Sequence, residues 1–199
     1  CVGTISNITW STGTNFGSTN GIGYFTNTNP NFPLTNGVIL STGDALTAAG
    51  PNSDTQSNGS YDNWLGDNQL FNYIQGLGID TGLLRHRNAT ILEFDFTPLT
   101  DQMSFDFLFA SEEYGTWQCE FSDAFAFFLT NLTASTPSVN LALVPGAVTE
   151  TPIAVTTIRN NAHNGTCNSV NPQFFGNYNG PTGSATNFNG ETVLMTASA

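Results

Sequence analysis

An all-β fold is predicted, a jelly-roll-like antiparallel β-sandwich with long loops and at most one or two short helices. Three observations predict it. Apolar residues alternate with polar ones at period two in segment after segment, the pattern of strands with one buried face. Asn-Gly steps occur at Asn20, Asn36, Asn58, Asn164, Asn179 and Asn189, and this dipeptide tolerates the positive φ angles of tight hairpin turns. The 199 residues include 16 Phe, 5 Tyr and 3 Trp, enough apolar area for a sizeable core and too many rings for a disordered chain.

Taken in order, Gly21-Ile22-Gly23 reads as a turn, since it lacks the strand-to-helix setting of a phosphate loop, and residues 37–41 as a short strand. Residues 48–62 form a long polar loop. A helix is expected over 67–75, with Asp67 as its cap and Leu70, Tyr73 and Ile74 on one face. In 90–97, Leu92, Phe94 and Phe96 point one way and Glu93 and Asp95 the other. Met103, Phe105, Phe107 and Phe109 make a second apolar face, Phe125, Phe127 and Leu129 a third, and Val139, Leu141 and Leu143 a fourth. Weaker strands are expected at 153–158 and 192–196, flanking a loop over 160–189 rich in Asn, Gly and Pro. No internal repeat or coiled coil interrupts this order, so residues 1–199 read as one domain.

The formal net charge is −12, and Arg85, Arg87 and Arg159 are the only fixed cations. Such a chain repels phosphate backbones and anionic lipid, which argues against nucleic acid and membrane surfaces as partners. No apolar run approaches the roughly 20 residues of a membrane span. No signal peptide is visible, so export implies a processed chain or a portion of a longer one. Cys1, Cys119 and Cys167 lack the spacing of a zinc site. A Cys119–Cys167 disulfide is expected, leaving Cys1 odd; three free thiols, or an acylated Cys1, are the alternatives.

Chemistry concentrates where the phenylalanine strand ends. Phe105-Asp106-Phe107-Leu108-Phe109-Ala110-Ser111-Glu112-Glu113-Tyr114 delivers paired carboxylates into a loop, and the next strand opens with Asp123. Glu112, Glu113 and Asp123, with Asp106 on the approaching strand, form a candidate oxygen-only set. Carboxylates crowded together repel unless protonated or metallated, and hard cations with irregular geometry suggest structural calcium (Ca2+). A solvated acidic rim is the plain alternative. Paired carboxylates also serve glycosidases, but no acid/base pair or nucleophile emerges with its supporting residues, and no enzymatic activity is expected. His86 and His163 stand isolated in sequence. Asn7, Asn58, Asn88, Asn131 and Asn164 begin Asn-X-Ser/Thr sequons. Trp64, Trp117, Tyr61 and Tyr178 are candidates for stacking on sugar rings.

These residues resemble a known family. Gly21-Ile-Gly-Tyr-Phe-Thr26, Phe32-Pro-Leu-Thr-Asn-Gly-Val-Ile-Leu-Ser-Thr-Gly43, Leu92-Glu-Phe-Asp-Phe96, Ser111-Glu-Glu-Tyr114, Ser122-Asp-Ala-Phe-Ala-Phe-Phe128 and Val144-Pro-Gly146 are similar to the choice-of-anchor L domain, from about Gly21 to Ala197. The sequence departs from it at Asn68-Gln69-Leu70, where a further acid is expected, and stops before further closing strands. The resemblance implies export from bacteria such as gliding and marine Bacteroidetes, commonly by type IX secretion, with surface display and adhesion. It implies no catalytic residues. The chain is then expected to be an extracellular adhesion or binding module, part of a longer secreted protein. Its partner would be a cell-surface or environmental glycan or protein ligand, or neighbouring domains of the same protein. A filament or spacer subunit and a carbohydrate-binding or carbohydrate-active module are the rival readings.

Overall fold

The structure, a computed structural model, describes residues 2–12, 21–56 and 64–199. Cys1, Asn20, Asn58 and Tyr61 lie outside the described residues.

The described residues fold into thirteen strands, one α-helix and two 3₁₀ turns. The N-terminal part contributes β1 (Val2–Ser11), β2 (Ile22–Thr26), β3 (Asn36–Leu40) and β4 (Ile91–Pro98). The remainder contributes β5 (Ser104–Phe107), β6 (Ala110–Ser111), β7 (Ala124–Phe125), β8 (Phe128–Leu129), β9 (Val139–Asn140) and β10 (Ile153–Ala154). It closes with β11 (Phe175–Tyr178), β12 (Gly190–Thr192) and β13 (Met195–Ser198). Every pairing is antiparallel: β1 with β4, β2 with β3, β5 with β13, β7 with β10, β8 with β9, and β11–β12–β6 as a three-stranded unit. The all-β expectation holds, with the strands distributed over several small sheets.

The expected helix is α1 (Asn68–Gly76). Asp67 Oδ1 accepts from the Leu70 amide at 2.7 Å, satisfying one donor that the first helical turn leaves unpaired. Ile74 is fully buried, with Leu70 and Tyr73 half-buried beside it.

The core lies in the second half of the chain. Phe107, Phe109, Tyr114, Ile153, Val155 and Ile158 cluster with Met195 and Phe175. Burying each large side chain stabilises the fold by about 1.5–3 kcal/mol. Phe105 and Phe127 pack at 4.4 Å between ring centroids, and Phe107 and Phe125 at 5.4 Å, so two predicted apolar faces meet each other.

Four expectations need correction. Gly21-Ile22-Gly23 is a turn only at Gly21; β2 starts at Ile22, and Gly21 is required because Thr12, Thr90 and the Ser41 carbonyl leave no room for a Cβ there. The 139–143 segment turns its other face inward: Asn140, Ala142 and Val144 are buried while Val139 is exposed. A buried asparagine is tolerated there because its amide is fully used. Oδ1 accepts from the Phe127 and Ala142 amides, and Nδ2 donates to the Ala142 carbonyl and the Tyr73 hydroxyl.

Residues 153–158 keep only two strand residues, because the chain turns at once, with Ile158 N donating to the Ala154 carbonyl at 3.0 Å. Finally, none of Asn36, Asn164, Asn179 and Asn189 has positive φ, nor do the glycines after them. Asn36-Gly37 opens β3, and the other three asparagines use their side chains as ties across the fold. Asn164 Nδ2 donates to the Gly115 and Thr116 carbonyls, Asn179 Nδ2 to the Phe188 carbonyl, and Asn189 Nδ2 to the Glu112 carbonyl. The long loop expected over 160–189 is therefore pinned, and it contains β11.

Candidate functional site

The segment from Ala110 to Asp123 leaves the core strand and returns to β7. Ser111 is buried, and its hydroxyl donates to Asp123 Oδ2 at 2.7 Å while accepting from the Glu113 amide at 3.0 Å. This hydroxyl joins the two halves of the acidic motif. Backbone N–H groups of Gln56 and Asn189 are directed at the Glu112 carboxylate, and its other oxygen, Oε2, is buried without a partner in the chain.

The electrostatics follow from burial and crowding. Glu113 is pushed up to about 7, first by desolvation and then by the charges of Asp123 and Glu112. Burial raises Glu112 as well, opposed by the two backbone donors. Asp123 is raised by burial against the lowering effect of the Ser111 hydrogen bond. His86 joins this field from the far side of the sequence. Burial lowers its pKa, while Asp80, Asp67 and Asp123 pull it upward, and its ring meets Phe71 edge-on at 5.2 Å.

Glu112, Glu113 and Asp123 thus share one electrostatic environment, as the sequence suggests. Asp106 stands apart: it is exposed on β5, where Thr196 on β13 donates to it at 2.6 Å. Among the described residues, no three His, Cys, Asp or Glu side chains stand close enough to hold one metal ion. The three acids therefore meet as a cluster of raised pKa values. A serine, a histidine and an aspartate also gather here, but Ser111 gives its proton to the carboxylate and is 1% exposed. The arrangement offers that hydroxyl no imidazole base, which a nucleophilic triad needs.

Behind the acids runs an open cleft of about 2730 Å3, far larger than the roughly 300–1,000 Å3 of a small-molecule site. It is lined by β2, β3 and β4 and by the chain from β5 through β8. Phe94, Phe96, Phe105 and Phe127 contribute apolar wall, and Glu112, Glu113, Asp123 and His86 contribute the polar part. Large apolar side chains reach solvent along it: Tyr24 is 70% exposed, Leu46 88% and Leu84 93%.

The disulfide is present, with Cys119 and Cys167 joined across 48 residues. It fixes the loop carrying Trp117 against the loop carrying His163. Of the aromatic residues proposed to stack on sugars, Trp64 is buried and donates from its indole to the Ala89 carbonyl at 2.8 Å. Tyr178 stacks on His163 at 4.4 Å and packs against Gly115, whose φ is +76, and is still 44% exposed. Trp117 remains 43% exposed, edge-on to Phe121. Among the sequons, Asn88 is buried, while the Asn7 and Asn164 amides are engaged by Asp95 and by backbone carbonyls. Asn131 is exposed, its Oδ1 accepting from the Thr133 and Ala134 amides.

His86 and Asn189 carry no local sequence signal for this site. They reach it through long-range contacts, and only the fold brings them there.

The profile of the choice-of-anchor L domain family matches residues 1–199, the whole chain. No curated protein and no solved structure matches.

Proposed function

Because the chain belongs to the choice-of-anchor L domain family, whose members are surface-associated or secreted bacterial domains, we propose that it is an extracellular adhesion module that holds its ligand in the cleft. The observation that carries this reading is the cleft itself, with aliphatic and aromatic side chains exposed along its rim and a carboxylate cluster in its wall. A solvent-facing apolar wall of this kind gains free energy when a partner covers it. The cysteine pairing fits an oxidising, extracellular setting. Among the described residues no helix is long and apolar enough to cross a membrane.

The reading contains no catalytic step. Calcium enters it as a counter-ion for the charge of −12.

The test is attachment. Beads coated with the chain should be retained under flow on the surfaces its source organism colonises. Leu46→Asn combined with Leu84→Asn, which alters exposed cleft residues and leaves the core intact, should reduce retention severalfold. Val148→Asn, a change at a fully exposed residue away from the cleft, should not. Equal retention of all three proteins would defeat the reading.

A further inference from the structure

Two buried acceptors of the cleft lining go without a donor. Asn88 is 7% exposed, and its Oδ1 has no partner in the chain; nor has the buried Oε2 of Glu112. Both atoms are acceptors, and both residues line the cleft. A buried acceptor left without a donor is costly. The charge is equally one-sided, since nine Asp and Glu residues line the cleft against Arg85 and Arg87. Burial keeps His86 toward its neutral form, so it supplies little compensation.

We propose that the cleft takes an extended segment of another protein in which Lys or Arg side chains alternate with apolar ones. Ammonium and guanidinium groups carry donors and no acceptors, which matches the two orphaned oxygens and the acidic residues of the lining. In an extended segment successive side chains point to opposite faces, so one face offers charge and the other apolar groups to the phenylalanine wall. Strand edges are at hand, because among the described residues β4 pairs only with β1, and β5 only with β13. An incoming strand can bond to such an edge. A second copy of this chain is a poor occupant, since each carries −12 and the two would repel. This inference rests on the adhesion reading and names the class of partner.

Three short blocked peptides test it: one alternating Lys with Val, one with Ser in place of Lys, and one with Glu in place of Lys. The basic peptide should bind about tenfold tighter than the neutral one, and the acidic peptide should not bind. High salt should weaken the basic peptide about tenfold. Binding should shift the amide resonances of Asn88 and Glu112, and Glu112→Gln with Glu113→Gln should lower affinity severalfold without lowering the melting temperature. Equal binding of all three peptides would overturn the proposal. So would basic-peptide affinity that ignores the double variant, which indicates diffuse surface charge, or self-association that moves the same resonances, which indicates a second copy. If the peptides bind alike while Leu46→Asn with Leu84→Asn still weakens surface attachment, this inference falls and the adhesion reading stands. Charge-dependent binding with attachment unaffected by that pair gives the reverse.

Discussion

The side-chain amide of Asn189 donates to the backbone carbonyl of Glu112 at 2.7 Å, across 77 residues of sequence. It holds the start of the acidic loop from outside. Asn52 in turn donates to Asn189 Oδ1 at 3.1 Å and to the Asn179 carbonyl at 3.3 Å. Three segments far apart in sequence therefore meet at the backbone that carries the Glu112 carboxylate.

Asn189→Ala removes that donor from a partly buried carbonyl. The expected loss is about 2 kcal/mol, a fall in melting temperature of about 4–8 °C for a domain this size. Thermal denaturation monitored by circular dichroism measures it. A shift under about 1 °C would show that solvent replaces the amide at no cost.

Glu113 gives stability a definite pH dependence. Its folded pKa is raised to about 7 from an ordinary 4.5, so the folded state holds the proton more tightly than the unfolded state. Stability is then greatest below about 4.5 from this group and falls as pH rises through about 7. Glu112 and Asp123, raised in the same direction, add to the trend. Glu113→Gln should flatten the decline and raise the melting temperature near pH 8, by about 2–4 °C if solvent screening reduces the effect to roughly 1 kcal/mol. Melting curves across the pH range would expose a wrong sign directly.

The Cys119–Cys167 bridge spans 48 residues, and in the chain-entropy model it stabilises by about 4 kcal/mol. Intact mass without reductant should be two hydrogens below the reduced value. Reduction should loosen the Trp117 loop and lower the melting temperature by about 8–16 °C. Alkylation of both thiols in native, unreduced protein would contradict the bridge.

Divalent ions should act on the chain as general counter-charge. Calcium and magnesium should raise the melting temperature by similar, small amounts that grow gradually with concentration. A saturable shift specific to calcium, abolished by chelator and by Asp123→Asn, would instead place a ligand set at the acidic cluster.

The sequence is most informative where side-chain chemistry alternates sharply. Phe105, Phe107 and Phe109, separated by residues including Asp106, leave one arrangement that buries the rings, and that strand forms as expected. Asp67 and the period of Leu70, Tyr73 and Ile74 define the helix in the same way. Prediction fails where a polar side chain is satisfied at long range. Asn140 enters the interior because Phe127, Ala142 and Tyr73 complete its hydrogen bonds. The Asn-Gly asparagines serve as ties because carbonyls from distant loops meet them. The meeting of Glu112, Glu113 and Asp123 follows from short sequence separation. The approach of His86 depends on how the segment between α1 and β4 lies, and no local pattern records that.

The adhesion reading requires an apolar cleft that stands open in the native state. Nile red, an uncharged dye that brightens and shifts to shorter wavelength in apolar surroundings, tests it directly. With folded protein well below its melting temperature, the account predicts saturable, blue-shifted emission. Leu46→Asn with Leu84→Asn should diminish it and Val148→Asn should leave it unchanged. Emission that stays at the level of free dye until the protein unfolds would contradict the account, because the cleft would then be closed in solution.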